Sequence, residues 1–199
     1  MAIATETQVL GPKAQSVTKD GQPDGFLVQC GYSVQAESHG STRLSVVVPF
    51  ERLQEAHRLL LGAVGGPWSV LYRQLIDRQN PRPEGSPPRD FLALNREPEV
   101  VLAALAECNS LIYHDARFEL WIRGRRGEQV ILDADGLIYM YPDDPLFRDV
   151  CATLGIEERL VKTLQNCDYV KQWYHADNDA LEAGFVEGLQ LNDMPRGRV

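Results

Sequence analysis

The sequence lacks the short motifs that announce common chemistries. There is no GxSxG elbow, P-loop, GxGxxG, HExxH or paired CxxC in its 199 residues. The usual signs of acyl transfer, nucleotide binding and zinc ligation are therefore missing. Cysteine is sparse, and Cys30, Cys108, Cys151 and Cys167 lie far apart. The opening residues MAIATETQVLGPK have neither the basic head nor the apolar core of a secretory leader. The expectation is a cytoplasmic chain whose cysteines are free thiols. No apolar run approaches the ~20 residues of a membrane span. Positive charge is also short, with 20 Lys and Arg against 28 Asp and Glu, a net charge of −8. Nucleic acid and anionic membranes recruit clustered basic residues, so neither is an expected partner. One local basic spot, Arg123, Arg125 and Arg126, reads as a solvated hairpin tip.

What is present is pattern. The stretch from Ser110 to Pro142 reads as three successive antiparallel strands, a meander at about 111–141. Asp135-Gly136 suits a two-residue type I′ turn, which sets Leu132 opposite Tyr139 and Val130 opposite Tyr141. A four-residue turn at Gly124–Gly127 sets Trp121 opposite Val130. Alternation then places Phe118, Leu120, Ile122, Ile131, Ile138 and Met140 on one face. Trp121, Val130, Leu132, Ala134, Leu137, Tyr139 and Tyr141 fall on the other. Both faces are largely apolar in this register. Burying one large side chain contributes ~1.5–3 kcal/mol, so the second face needs a cover. The candidates are the chain's own helices, a partner protein, or a second copy in a homodimer.

Residues 1–24 are rich in turn formers and read as a loosely ordered arm with a short edge strand near Gln8–Leu10. Residues 25–192 read as a single α+β domain. Phe26–Glu37 and 42–49 suggest a hairpin, and Val46-Val47-Val48 suggests a strand covered on both sides. A helical stripe of Phe50, Leu53, Ala56, His57, Leu60, Leu61 and Val64 follows Pro49. Residues 68–78 carry Trp68, Leu71, Tyr72, Leu75 and Ile76 at helical spacing. A proline-rich surface loop spans 80–90, and Phe91–Asn95 suggests a short strand. Further helices are expected from Glu97 to Glu107, from Pro145 to Leu154 with Asp144 as N-cap, over 157–165, and over 179–189.

No constellation carries catalysis on spacing alone. His114-Asp115 places an imidazole beside a carboxylate, but neighbours in a strand point apart. Asp133, Asp135, Asp143 and Asp144 lack the spacing of a calcium loop. Trp173, Tyr174, His175, Asp177 and Asp179 open an acidic stretch with no Lys or Arg between Lys171 and Arg196. The sequence thus points to an α+β fold, with an antiparallel sheet of about five strands packed by several helices. The leading functional expectation is a non-enzymatic accessory protein of bacterial type: an adaptor, inhibitor or immunity-like chain. It would bind another protein through Trp121 and Tyr139 on the sheet or through Trp173, Tyr174, His175, Asp177 and Asp179. No cofactor or metal is expected. The alternative is a small hydrolase or transferase whose site gathers distant His, Asp and Cys residues.

Overall fold

In the computed structural model, which describes residues 10–26, 28–38, 40–172 and 175–194, Trp68–Gln74 alternates strictly between buried and half-buried residues. Ile138–Tyr141 does the same, and Phe118–Arg123 differs only at its exposed last residue. That period of two is what a sheet with one fully covered face demands.

The described residues form β1 (Ala14–Ser16), β2 (Gly31–Ala36), β3 (Thr42–Val47), α1 (Phe50–Leu61), β4 (Trp68–Gln74) and β5 (Arg89–Arg96). There follow α2 (Pro98–Glu107), α3 (Asn109–His114), β6 (Phe118–Arg123), β7 (Gln129–Leu132), β8 (Ile138–Tyr141) and α4 (Pro145–Thr153). The chain then makes β9 (Tyr169–Lys171), α5 (Asn178–Gly188) and β10 (Asn192–Asp193). The expected α+β architecture stands. Its sheet holds eight antiparallel strands in the order β10-β5-β4-β6-β7-β8-β3-β2, and β1 and β9 form a separate ribbon.

All five helices send buried side chains into one core on one face of that sheet. Leu53 and Leu60 of α1, Val101 and Leu105 of α2, and Leu111 of α3 join Phe147 of α4 and Phe185 of α5 there. They meet Leu44, Val46, Val70, Tyr72, Phe118, Leu120, Ile122, Val130, Leu132, Ile138 and Met140. Every one of these sheet residues is fully buried.

The meander has the three expected strands but a different register. Leu132 pairs with Ile138, and Ile131 with Tyr139. Trp121 pairs with Ile131, and Ile122 with Val130. Both hairpins close with three-residue loops rather than loops of two or four. In each, a turn residue with positive φ, Gly127 at 96° and Gly136 at 83°, completes the closure. The N–H of Gly124 donates to the Glu128 carbonyl at 2.8 Å, and that of Asp133 to the Leu137 carbonyl at 3.0 Å. Asp133 Oδ1 also accepts from the N–H groups of Asp135 and Leu137, each at 2.8 Å, which favours the wider turn. A slip of one residue turns a whole strand over. β7 is therefore inverted relative to expectation: Val130 and Leu132 join the core, and Ile131 joins Trp121 and Tyr139 on the outer face. The outer face carries Arg43, Ser45, Arg73, Glu119 and Gln129 among its apolar residues, so the two faces are not equally apolar.

Three other expectations are corrected. Residues 68–78 are not helical, because Trp68–Gln74 lies in β4 between β5 and β6. There its alternation buries Trp68, Val70, Tyr72 and Gln74 together. Residues 111–114, read as the start of the meander, belong instead to α3 (Asn109–His114). Residues 157–165 do not form the expected α-helix either, and only a 3-10 turn at Leu164–Asn166 touches that stretch. The edge of β2 captures them: the Tyr32 N–H donates to the Glu157 carbonyl at 3.0 Å, and the Arg159 N–H to the Tyr32 carbonyl at 2.8 Å. Ile156 sits in the main core, whereas Val161 packs on Val47 and Leu137 of the outer face. This strap therefore wraps around the free edge of the sheet. Gly31 lets it pass, since a Cβ there would lie 2.6 Å from Arg159 Nε and 2.8 Å from Val161 Cγ1. Of the arm expected over 1–24, residues 1–9 lie outside the described residues, and Ala14–Ser16 pairs with β9. Asp144 caps α4 as expected, accepting from Leu146 N.

Gly136→Ala and Gly127→Ala should each lower stability by ~1–2 kcal/mol, the cost of a side chain in left-handed backbone. Gly136→Asn should lose less, because Asn tolerates that region. Urea titration of the three variants checks this, and equal stability of all three with the parent would contradict the two three-residue closures.

Candidate functional site

Because the helices occupy one face, any large recognition surface on the sheet must use the other. That outer face has two halves. Over β5, β4 and β6, cross-strand register sets Leu92 beside Leu71, and Leu71 beside Trp121. Leu94 continues the outward series on β5 and is 58% exposed. Arg73 pairs with Asp90 at 2.9 Å and lies 5.0 Å over the Trp121 ring. Trp121 Nε1 donates to Glu119 Oε2 at 3.1 Å. The ring is thus held between neighbours yet stays half-buried.

This apolar row ends at a basic cleft of about 560 Å³ lined by Ser69, Asn95, Arg123, Gly124 and Arg125. Gly124 packs so closely on Gly65 that a Cβ would lie 2.7 Å from the Gly65 carbonyl oxygen. Glu128, whose Oε1 accepts from the Gly65 N–H at 2.6 Å, ties the hairpin base to the loop before β4. Burial alone would raise the Glu128 pKa, but that N–H and Arg126 outweigh it and hold the carboxyl below its ordinary range. Arg126 pairs with Glu128 at 3.1 Å. Arg123 and Arg125 are exposed and have no acidic partner among the described residues.

The second half, over β2, β3 and β8, lies beneath the strap. A cleft of about 530 Å³ separates the two, with Ser33, Gln35, Arg43, Ser45 and Tyr139 on the sheet side. Leu160, Val161, Lys162, Thr163 and Asn166 form the strap side. Arg43 stands 4.8 Å over the Tyr139 ring, pairs with Glu37 at 3.0 Å and donates to the Tyr141 hydroxyl at 3.2 Å. Burial, and then the Asp133 carboxylate, raise the pKa of the Tyr139 hydroxyl.

Of the expected binding residues, Trp121 and Tyr139 share the outer face, joined through Ile131. Trp173 and Tyr174 lie outside the described residues, as does His39. Asp179 and Glu182 of the acidic stretch are drawn inward around Arg117, which is fully buried. Arg117 donates to Asp115 Oδ2 at 2.7 Å, Asp179 Oδ1 at 2.6 Å, Glu182 Oε2 at 3.0 Å and the His175 carbonyl at 2.9 Å. Arg78 also pairs with Asp179, and Tyr72 and Gln74 donate to Glu182. Burial by itself would lower the Arg117 pKa; its carboxylate partners outweigh this and raise it. Asp177 remains exposed ahead of α5 and makes no capping bond with its side chain. His114 ends α3 with Nδ1 2.7 Å from the Gly11 carbonyl, while Asp115 serves Arg117. His57 is buried against Tyr113, and burial lowers its pKa to about 3. Among the described residues no histidine lines either outer-face cleft.

A second buried charge was not foreseen. Lys13 is 1% exposed, with Nζ 3.3 Å from the Ile112 carbonyl and 4.2 Å over the Phe118 ring. Burial lowers its pKa to about 8. Asp133 is raised to about 6 by burial and by Asp135. Among the described residues no group of three or more His, Cys, Asp and Glu side chains is placed to hold a metal ion, and no helix is long and apolar enough to cross a membrane. No protein-family model matches this chain, and the comparisons with curated proteins and with solved structures found no match.

Two outcomes follow from the buried charges. Arg117→Met should cost ~3–5 kcal/mol, because it strands Asp115 and its fellow carboxylates without their cation. Chemical denaturation measures it, and a neutral result would mean the network is not closed as described. Lys13 binds fewer protons folded than unfolded between pH 8 and 10.5, so stability should rise with pH across that window. Asp133 does the reverse, and stability should fall as pH rises from 3.8 to 6. Lys13→Met should therefore raise stability at pH 7 and flatten the alkaline slope. It should also widen the acid slope, since Lys13 draws Asp133 down. Asp133→Asn should flatten the acid slope, at about 1.4 kcal/mol per pKa unit. Unfolding curves recorded from pH 4 to 10 would show both changes.

Proposed function

We propose that this chain is a non-enzymatic binding protein that docks a partner protein on the open half of its sheet. The partner presents an apolar contact flanked by carboxylates. An adaptor, inhibitor or immunity-like role fits such a chain. The observation that supports this reading is a continuous surface: Leu92, Leu71, Leu94 and Trp121 run directly into Arg123 and Arg125, neither with an acidic partner among the described residues. Arg43, Arg73, Arg89, Arg117 and Arg148 are each matched to a carboxylate, while Arg58, Arg82, Arg96 and Arg159 share with Arg123 and Arg125 the lack of one among the described residues. In a chain of net charge −8, two unmatched guanidinium groups beside an aromatic patch are complementary to acidic protein surface. Aromatic and Arg side chains are also the usual anchors of binding energy. Asp179 and Glu182 support a structural role instead, since their carboxylates are engaged within the chain.

The test takes a protein captured by the wild-type chain, identifies and remakes it, and measures its affinity for variants. Leu94→Asp and Trp121→Ala should each weaken binding at least tenfold. Arg123→Glu with Arg125→Glu should weaken it further at low salt and flatten its salt dependence. Undiminished affinity in all three would refute this surface. So would a concentration-dependent dimer abolished by Leu94→Asp, which would assign the face to a second copy of the chain.

A further inference from the structure

We infer that the cleft beneath the strap is a binding site for a small amphipathic carboxylate. The inference is independent of the docking surface and rests on how the floor of the cleft is built. Ser45 lies in the middle of β3, between Ser33 of β2 and Tyr139 of β8, so its side chain faces the outer side beneath the strap. It is 5% exposed, and its hydroxyl is closed off from solvent with no hydrogen-bond partner among the described residues. A buried hydroxyl left in this state is costly, and a sheet packed only for stability would place an apolar residue there. Its neighbours on the inner face, Leu44 and Val46, show what such a sheet selects.

The walls specify the rest of the ligand. Leu137 and Val161 are buried apolar residues beside the cleft, and Leu160 on the strap is 93% exposed. An aliphatic body lying against Leu137 and Val161 would draw Leu160 out of water. At the rim stands Lys162, exposed and without an acidic partner among the described residues. Arg43 already has Glu37, and its guanidinium is positioned over Tyr139. Lys162 is therefore the cation that meets the carboxylate, with Arg43 adding positive potential behind it. The carboxylate's oxygens accept from Lys162 and from the Thr163 or Ser45 hydroxyl. A cleft of about 530 Å³ is within the size range of small-ligand sites. Because the Ser45 hydroxyl is overhung, the stretch 160–163 must ride outward for a ligand to reach it. The strap's backbone bonds to the sheet edge lie at 157–159, so this movement breaks none of them, and its cost is loosening Val161 from Val47 and Leu137.

Octanoate is the probe, with octanamide lacking the charge and acetate lacking the body. Amide chemical shifts of the full-length protein should respond saturably to octanoate, confined to 43–45, 137–139 and 160–163. Octanamide and acetate should each bind at least tenfold more weakly. Lys162→Gln, at an exposed position that leaves the fold intact, should cost about tenfold in affinity, and Ser45→Ala about fivefold. Leu94→Asp should leave octanoate binding unchanged, which separates this site from the docking surface. The inference is overturned if octanoate gives no saturable response, if octanamide or acetate binds equally well, or if Lys162→Gln and Ser45→Ala both bind like the parent.

Discussion

Leu120, Leu132 and Ile138 stand in one row across three adjacent strands, and the sidedness of the whole sheet depends on that row. It exists because both meander hairpins turn through three residues. Gly127 and Gly136 supply the one backbone conformation in each loop that an ordinary residue resists. A turn one residue shorter or longer would send Val130 and Leu132 away from the helices and bring Ile131 among them. The sheet would then have grease on both faces and no single core. With the loops as they are, every helix can pack on one face. That leaves the opposite face to carry arginines, serines and a half-buried tryptophan outside the core.

The free edge at β2 is the second consequence. A strand edge with unpaired N–H and C=O groups invites other chains. Here the chain itself occupies the edge, through Glu157 and Arg159 on Tyr32. Arg148 then holds Glu158 and Asp143 together, at 2.7 Å each. Having reached the edge, the strap has only the outer face to continue on. It can cross there because Gly31 presents no side chain. The cleft is the space left between an irregular strap and a flat, polar patch of sheet. At the other edge, β10 is two residues long and fixed by Arg89 to Asp193. Among the described residues no strap crosses β5 to cover Leu94.

Much of this was legible in the chain. The periodicity of α1, the Asp144-Pro145 start of α4, the glycine turns and the three strands of the meander are local signals. Local sequence carries them. The alternation of Arg43 and Ser45 with Leu44 and Val46 also marks an outer face, a signal that the adjoining Val46-Val47-Val48 run masks. Loop length was not legible, because Asp-Gly serves two-residue and three-residue hairpins alike. What selects the longer one is Asp133 bonding to Asp135 and Leu137, a contact that exists only once the turn has closed. β4 was hidden for a different reason. Trp68, Leu71, Tyr72 and Leu75 match helical spacing by chance, and only pairing with β5 and β6 decides the period. Reading that segment as a helix also concealed Leu71 and Arg73, two neighbours of Trp121. The strap was hidden because its partner, the β2 edge, lies more than 120 residues away in sequence.

Charge tells the same story from the inside. Read along the chain, the stretch after Lys171 is an unrelieved run of acid, and the tip at Arg123–Arg126 is a minor basic interruption. Folding exchanges their roles. Asp179 and Glu182 turn inward to neutralise Arg117, a cation that desolvation alone would make intolerable in the core. Each carboxylate committed there is removed from the surface that the sequence presents as acidic. The hairpin tip goes the other way. Glu128 is claimed by the Gly65 N–H and Arg126, and Arg123 and Arg125 are left on the open face without acids of their own among the described residues. A chain with an excess of eight negative charges thus shows unmatched positive charge beside its exposed apolar row. Neighbouring carboxylates were not scarce in this sequence, so that asymmetry follows from where the fold sends them.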